Sequence, residues 1–269
     1  MRKEKIELLG VQQTLLVTLY ARAIESRSAN PILKDLSAED VVERLDCDFG
    51  AVKLDKDDQL RVVVRAKLLD TWTEDFLAAN PRATVLGLGC GLDGRILRVN
   101  PPSSVNWYDL DVPDVIALRR HFFPERPGYH MVASSVTDPD WLDAVAPNGS
   151  AMVIAEGLLM YISEEEVREL FGRILNHFSG GLLAFDAFMP FAVRMVKYLP
   201  VSKMWAVRWG LDDPRLIEQW YPRLEFLAET SLADSPWIDR LPWLTRLAVK
   251  GANRVPAFRR VHRLLRYRF

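Results

Sequence analysis

Residues 84–94 read Thr-Val-Leu-Gly-Leu-Gly-Cys-Gly-Leu-Asp-Gly, a short apolar run that ends in a cluster of glycines. Such a run, bounded by Asn80-Pro81 before it and by glycines after it, predicts a buried strand and a tight turn into a helix. Gly87, Gly89 and Gly91 are spaced G-x-G-x-G. Dinucleotide-binding turns have the spacing G-x-G-x-x-G, and no Lys-Ser or Lys-Thr follows as in a phosphate-binding P-loop. The turn therefore favours a ligand that does not present a pyrophosphate.

Strands and helices alternate along the chain around this turn. We predict a helix over residues 60–79 and, after the turn, strands over 105–111, 129–134, 151–155 and 182–186. Shorter helical patterns end at residue 99 and cover 113–123 and 139–145. Ser163 and Glu166 predict a capping box for a further helix over 164–178. Five strands that alternate with helices predict a doubly wound α/β sheet, which binds its ligand at the carboxyl ends of the strands.

Composition narrows the class of protein. The chain has 269 residues, of which 49% are hydrophobic, and this length can bury a core without disulfides or metals. Only Cys47 and Cys90 occur, which excludes a disulfide-dense secreted scaffold and favours a reduced, cytoplasmic compartment. No signal peptide is visible, and no apolar run reaches the ~20 residues that a membrane span requires. The four histidines lack metal-ligand spacing, so we predict no metal.

The net charge of −1 hides an asymmetry. Residues 240–269 contain nine Lys or Arg and no Asp or Glu, whereas the rest of the chain has 26 basic and 36 acidic residues. The simplest interpretation is that this basic tail balances the acidic body of its own fold. An acidic substrate, a carrier protein or a membrane surface are the alternatives. Because nothing else is typical of a nucleic-acid-binding module, we predict no nucleic-acid partner.

Two acidic residues lie at the end of the second predicted strand, where a nucleoside-binding sheet has an acid that binds the ribose. Asp111 ends the second predicted strand, 20 residues after Gly91, and Asp109 precedes it by two positions. Alternation places both on the same side of the strand, so either could accept hydrogen bonds from the ribose hydroxyls. Solvated strand-end acids are the alternative interpretation. Together with the glycine turn, these acids favour S-adenosylmethionine as the cofactor.

Three motifs in this order resemble the leucine carboxyl methyltransferase family. They are Val85-Leu-Gly-Leu-Gly-Cys-Gly-Leu-Asp-Gly-Arg95, Trp107-Tyr-Asp-Leu-Asp-Val-Pro113 and Ile154-Ala-Glu-Gly-Leu-Leu-Met-Tyr-Ile162. The similarity is to the bacterial branch of polyketide O-methyltransferases of the tetracenomycin type. It implies a Rossmann-like class I methyltransferase sheet of seven strands with helices on both faces and a helical lid. The resemblance also implies that the last strand is antiparallel, with residues 223–230 and 261–269 as the final two strands.

The resemblance also implies an organisation of the chain as one methyltransferase domain. Its parts would be a helical cap over 1–59, a cofactor-binding core over 60–186, a lid insertion over 187–222, and C-terminal strands with the basic tail over 223–269. The N-terminal helix over 14–26 resembles a segment that closes over the active site, with Arg22 as a candidate contact. The aromatic-rich segment 188–209 would be either an apolar lid or a buried helical hairpin.

Carried over by position, the resemblance implies that Arg65 binds the methionine carboxylate, that Asp111 binds the ribose, and that Glu156 lies near the amino group or sulfonium. The family's adenine contact is an Asp-Leu pair before a tryptophan, and here Ser135-Val136 precede Trp141. A neutral serine accepts a weaker hydrogen bond than a carboxylate, so this departure predicts weaker or repositioned adenine binding. The predicted cofactor-binding set is Arg65, Gly87, Gly89, Gly91, Asp109, Asp111, Ser135, Val136 and Glu156.

Each of these assignments has a structural alternative. Arg65 could be an ordinary solvated helix arginine. Glu156 directly follows five apolar residues, and a carboxylate buried there without a cationic partner would be costly, so we expect such a partner.

The resemblance implies an O-methyltransferase that acts on a hydroxyl or carboxyl group of a small molecule, aromatic or carboxylic, in secondary metabolism. A carboxylate acceptor needs no general base, whereas a phenol or an alcohol needs one. Tyr161 and Asp186 are the candidates, and each has a structural role as its alternative. An inactive cofactor-binding regulator or assembly partner is the second hypothesis, because of Ser135 and the lack of an identifiable base. A nicotinamide oxidoreductase is disfavoured by the glycine spacing, and the basic tail keeps a protein C-terminus open as an acceptor.

Overall fold

The computed structural model describes residues 4–5, 13–52, 54–147, 149–196, 206–252, 254 and 261–269. Its strands are β1 (Glu4–Lys5), β2 (Leu45–Asp46), β3 (Thr84–Leu88), β4 (Asn106–Asp111), β5 (Tyr129–Ala133), β6 (Ala151–Ala155), β7 (Gly181–Phe188), β8 (Glu225–Ser231) and β9 (His262–Arg268). The α-helices are α1 (Gln13–Ser26), α2 (Leu36–Arg44), α3 (Lys56–Ala79), α4 (Arg95–Val99), α5 (Pro113–Arg119), α6 (Glu164–His177), α7 (Pro190–Val196), α8 (Arg215–Trp220) and α9 (Trp243–Ala252).

Seven of the described strands form one sheet in the order β5-β4-β3-β6-β7-β9-β8. Strands β3 to β7 are parallel to one another, whereas β9 is antiparallel to both β7 and β8. From β3 the chain proceeds outward to β4 and β5 and then returns to β6 on the other side of β3. A doubly wound sheet has its ligand crevice at such a reversal of strand order. The predicted α/β sheet of seven strands with antiparallel β9 is confirmed.

Both faces of the sheet are covered because its strands alternate two sets of apolar side chains. In β3, Leu86 packs into a buried cluster that includes Phe171 of α6, and Val85 packs into a second buried cluster that includes Leu69 of α3. All five residues of β6 are buried, as expected for a central parallel strand. Helix α6 begins at the predicted capping box, in which Ser163 accepts a hydrogen bond from the backbone N–H of Glu166.

The structure differs from the predicted helix boundaries in three places. Helix α3 begins at Lys56, because Asp55 caps it by accepting a hydrogen bond from the backbone N–H of Asp58. Helix α5 ends at Arg119 rather than at 123, and the residues after it form tighter turns, in which the N–H groups of His121 and Phe122 donate to the carbonyls of Leu118 and Arg119. The predicted helix over 139–145 is a short 3₁₀-helix, Asp140–Ala144.

The predicted lid insertion over 187–222 contains α7 and α8. Residues 197–205 lie outside the described residues, so the role of this segment remains a prediction. Among the described helices, none has the length and apolar character needed to cross a bilayer.

Candidate functional site

A cavity of about 300 Å³ lies at the carboxyl ends of β3, β4 and β6, within the size range of small-molecule sites. Helix α1 contributes Thr14, Thr18 and Arg22 to its wall. Nine of the residues predicted from the sequence line it, namely Arg22, Arg65, Gly87, Gly89, Gly91, Asp109, Asp111, Glu156 and Tyr161. Ser135, Val136 and Asp186 are not among the lining residues. The structure therefore brings most of the predicted set together at the expected edge of the sheet.

The glycine turn after β3 lets the backbone form one wall of this cavity. A Cβ atom at Gly87 would overlap Asp109 Oδ1. Gly89 has a φ of +62°, and a Cβ atom there would lie 2.9 Å from Leu158 Cδ1. Both positions therefore require glycine, one for close approach and one for a left-handed backbone. Cys90, between Gly89 and Gly91, is no candidate nucleophile, because burial raises the pKa of its thiol well above the ordinary value.

Asp111 faces the cavity from the end of β4. Its carboxylate accepts hydrogen bonds from the backbone N–H groups of Gly91, at 2.7 Å, and Val112, at 2.8 Å. Burial raises the pKa of Asp111, and these two N–H groups offset part of that rise. Each oxygen has one protein donor, so lone pairs are left to accept hydrogen bonds from a ligand.

Asp109 is held inside the protein. Its Oδ1 accepts a hydrogen bond from Trp107 Nε1 at 2.9 Å, and its Oδ2 accepts one from Arg119 Nη2 at 2.5 Å and one from Tyr129 Oη at 2.9 Å. Arg119 Nη1 also donates to the Gly91 carbonyl at 3.0 Å. Asp109 thus anchors the glycine turn, and the geometry favours Asp111 over Asp109 as the acid that binds a ligand.

Glu156 has the cationic partners that its place after a buried strand predicts. Arg65 Nε donates to Glu156 Oε1 at 2.8 Å, and Arg95 Nη2 donates to Oε2 at 2.5 Å. The Arg65 side chain is only 13% exposed, and it also donates to Asp186 Oδ2 at 2.9 Å. Arg65 is therefore part of a buried ion-pair network, unlike a solvated helix arginine.

Asp186 and Tyr161 lack the features of a general base. Asp186 is fully buried, and its carboxylate is hydrogen-bonded to Arg65, to His262 Nε2 at 2.8 Å and to the N–H of Gly157 at 2.6 Å. Burial alone would raise the pKa of Asp186, but Arg65 and the hydrogen bond to His262 hold it well below its ordinary value. Burial raises the pKa of Tyr161 above its ordinary value, which keeps the phenol protonated. Neither side chain is suited to accept a proton at neutral pH.

Two cavity residues, Asp93 and Arg95, were given no role from the sequence. Arg98 Nη1 lies 2.7 Å from Asp93 Oδ1 and 2.8 Å from Asp35 Oδ2, and Arg95 Nε lies 2.7 Å from Asp70 Oδ1. Burial alone would raise the pKa of Asp93, but the nearby arginines hold it well below its ordinary value. The available signal was a pair of opposite charges around Gly94, directly after the glycine triplet.

Arg22 connects α1 to this network. It donates to Asp35 Oδ2 at 3.0 Å and to the Leu92 carbonyl at 3.2 Å. The N-terminal helix is thereby held against the loop that follows the glycine triplet.

The two residues of the predicted adenine pair are not part of the cavity wall. Ser135 Oγ is 2.7 Å from Thr137 Oγ1, and the two hydroxyls hydrogen-bond to each other. Val136 is buried, and its carbonyl accepts a hydrogen bond from Arg173 Nη2 at 2.7 Å. A role for Ser135 and Val136 in adenine binding remains a prediction.

The pairing of Asp186 with Arg65 predicts a pH dependence of stability. Because the pKa of Asp186 is lower in the folded protein than in the unfolded chain, its ionised form stabilises the fold above the unfolded value of about 3.9. That contribution is lost as the pH falls below this value toward the folded-state pKa. Arg65→Gln removes the cation that lowers the pKa of Asp186, so we expect the melting temperature of the variant to lie furthest below that of the wild type above about pH 4 and to approach it as the pH falls below that value. Melting temperatures between pH 3 and 8 measure this, with Arg61→Gln on the same helix as control, and parallel wild-type and Arg65→Gln profiles would contradict it.

Comparison with known proteins agrees with this geometry. Residues 15–175 match the model of the leucine carboxyl methyltransferase family. The tetracenomycin polyketide synthesis O-methyltransferase TcmP of Streptomyces glaucescens is 42% identical over 99% of each chain. The S-adenosyl-L-methionine-dependent methyltransferase dpfgK of Gibberella zeae is 36% identical over 93% of this chain and 92% of its own. In fold, the crystal structure of a predicted methyltransferase from Thermobifida fusca superposes with a TM-score of 0.58 at 15% identity, covering 94% of each chain. The chain belongs to the leucine carboxyl methyltransferase family and is an S-adenosyl-L-methionine-dependent methyltransferase.

Proposed function

We propose that this enzyme methylates an oxygen atom of a small aromatic or polycyclic acid of secondary metabolism, and that the oxygen belongs to a carboxylate. The observation that carries the proposal is that each described titratable side chain lining the cavity is paired with another charge, protonated or, in the case of Asp111, assigned below to the cofactor. The full-length similarity to TcmP, whose name records O-methylation in polyketide synthesis, supports the acceptor class.

The cavity offers a poor setting for deprotonating a phenol or an alcohol. Among the described lining residues, Asp93 and Glu156 are paired with arginines, and Asp109 is paired with Arg119. Asp111 binds two backbone N–H groups, and Tyr161 retains its proton. A carboxylate acceptor is already ionised at neutral pH and needs none of these groups as a base.

The lining residues also fit the cofactor. The charged residues of the cavity wall are Arg22, Arg65, Arg95, Asp93, Asp109, Asp111 and Glu156, so acids outnumber arginines. A net negative wall suits a cofactor whose sulfonium and ammonium charges outweigh its one carboxylate. We assign Asp111 to the ribose hydroxyls, Arg65 to the carboxylate and Glu156 to the ammonium group, while the glycine turn lies against the methionine moiety.

Positioning is the main contribution that these residues make to the reaction. When bound, S-adenosyl-L-methionine supplies an electrophilic methyl group with a neutral thioether as the leaving group. The buried ion pairs of Arg65, Glu156 and Arg95 fix the wall that holds the donor, so the acceptor oxygen can be aligned with the methyl carbon. Alignment of this kind can supply about 7–11 kcal/mol of a barrier.

A matched acceptor panel tests the proposal. The enzyme is incubated with methyl-labelled cofactor and pairs of polycyclic aromatic compounds that differ only in bearing a carboxyl or a hydroxyl group. We expect label in base-labile methyl esters, with a rate that is flat above the carboxyl pKa of about 4. Base-stable methyl ethers, formed at a rate that rises toward the phenol pKa of about 10, would contradict the carboxylate assignment.

A further inference from the structure

Helix α9 turns its apolar side chains away from the protein. Trp243, Leu244 and Leu247 are 62%, 63% and 60% exposed. At about 3.6 residues per turn they project from one side of the helix, and Val249 projects from the opposite side. Val249 packs against a buried cluster that contains Val63 and Val64 of α3. The outward face of α9 therefore carries three large apolar side chains, which an ordinary surface helix buries.

Helix α7 has the same arrangement on a smaller scale. Phe191 and Met195, one turn apart, are 55% and 46% exposed, whereas Val193 on the opposite side is buried. Five large apolar side chains on two helices thus face outward, and we call them the apolar rim: Phe191, Met195, Trp243, Leu244 and Leu247. Soluble monomeric proteins seldom expose large apolar side chains in groups unless the group contacts something.

Both helices follow strand ends at the edge of the sheet where the cavity lies. Helix α7 follows the carboxyl end of β7, where Phe188 pairs with His262 of β9. The segment that carries α9 begins after Ser231 of β8, which pairs with Arg263 at the same end of β9. The Met189 N–H also donates to the Val261 carbonyl at 3.2 Å, which ties the two segments together. The apolar rim therefore belongs to the same edge of the sheet as the cofactor cavity.

Cations border the apolar rim. Arg194 lies beside Phe191 and Met195, and Arg246 and Lys250 lie beside Trp243 and Leu247, while neither helix contains an acid. Asp239 Oδ1 lies 3.4 Å from Arg246 Nη1 and 3.1 Å from Lys250 Nζ, so one carboxylate pairs with two cations and a net positive charge is left. Trp and Leu bordered by Arg and Lys are the composition of helices that lie on anionic bilayers.

We propose that the apolar rim docks on the surface of an anionic phospholipid bilayer, with the cavity edge facing the lipid. Protein interfaces of standard size contain about one hydrogen bond per 100–200 Å². The five rim side chains offer a single hydrogen-bonding group, the indole N–H of Trp243. A bilayer requires no matched hydrogen bonds, and tryptophan is enriched at the bilayer interface. Docking is independent of the proposed acceptor, because it needs no methyl transfer.

Cosedimentation of the full chain with vesicles tests the docking. The vesicles consist of phosphatidylcholine alone or of phosphatidylcholine with 30% phosphatidylglycerol. We expect partitioning onto the anionic vesicles, with a loss of at least about tenfold for Trp243→Ser combined with Leu247→Ser. Replacing Arg246 and Lys250 by Gln should reduce partitioning onto the anionic vesicles by up to about fivefold for each cation removed. Leu227→Ser, which changes an exposed leucine on β8, is the matched control and should partition like the wild type.

Circular dichroism and melting temperature establish that each variant is folded. Wild type that stays in the supernatant with anionic vesicles would overturn the proposal, as would equal partitioning of wild type and the Trp243/Leu247 double variant. A wild-type dimer that the same double variant converts to monomer, without vesicle binding, would overturn it in favour of a second copy of this chain. Partitioning that is retained when the cofactor site is disabled by Asp111→Ala would support it independently of the proposed function.

Discussion

Arg119→Leu is expected to lower the free energy of unfolding by about 3–5 kcal/mol. Arg119 is fully buried, and it supplies the cation for Asp109, which is itself only 4% exposed. Without the guanidinium, Asp109 would keep the hydrogen bonds from Trp107 and Tyr129 but would remain a buried charge with no counterion. The guanidinium also stacks over the Phe123 ring, with Arg119 Cζ 4.0 Å from the ring centroid, and leucine cannot replace that contact.

Urea unfolding of the wild type and the variant measures this loss. Arg120→Leu is the matched control, because Arg120 is the exposed neighbour of Arg119 in sequence and should change stability by less than about 0.5 kcal/mol. In the double variant Arg119→Leu/Asp109→Asn the uncompensated charge is absent. We therefore expect the double variant to lose less free energy of unfolding than the sum of the losses in the two single variants. An Arg119→Leu variant that is within about 1 kcal/mol of the wild type would show that Asp109 does not need its cation.

The elements around the cavity were predictable from the sequence because their signals are local. A fully apolar strand such as β6, a glycine triplet and a capping box each act within a few residues. Order along the chain then fixed which strand ends meet, since parallel strands place their carboxyl ends at one edge. For this reason the predicted Gly87, Asp111 and Glu156 line one cavity although they are distant in sequence.

The pairing of charges around the cavity was not predictable in the same way. Asp109 and Asp111 are equivalent by strand alternation. What distinguishes the anchored Asp109 is its set of donors, Trp107, Arg119 and Tyr129, which come from three different elements. The sequence signal for Arg119 is that it lies four residues after Val115, on the same face of α5. That face is buried, so a charged side chain on it needs a partner. Such spacing does not identify a partner on another element. Similarly, the sequence of α9 predicts an amphipathic helix but does not say which of its faces is buried. Only the structure shows that the large apolar side chains are exposed.

Asp111→Ala is expected to weaken the binding of S-adenosylhomocysteine by about 1–3 kcal/mol, which is roughly a 5-fold to 150-fold rise in Kd. The carboxylate accepts hydrogen bonds from Gly91 and Val112 and has lone pairs left for the ribose hydroxyls we assign to it. Removal of this side chain thus affects the ligand contact directly and also releases the Gly91 N–H, which helps to hold the turn. Because both effects act on the wall that we assign to the cofactor, the affinity for the cofactor should decrease more than the affinity for the acceptor.

Calorimetric titration with S-adenosylhomocysteine measures the dissociation constant of the wild type and of each variant. Asp111→Asn keeps the shape of the side chain but removes the charge, and its NH2 group would face one of the two backbone N–H donors, so its affinity should also lie below that of the wild type. Asp114→Ala provides the control, because Asp114 is an exposed acid three residues further along, in the first turn of α5, and does not line the cavity. Its affinity for S-adenosylhomocysteine should match that of the wild type, because the Asp114 side chain is exposed and lies outside the cavity wall. If Asp111→Ala binds as tightly as Asp114→Ala, the ribose is held by another group, and the division of roles between Asp109 and Asp111 is wrong.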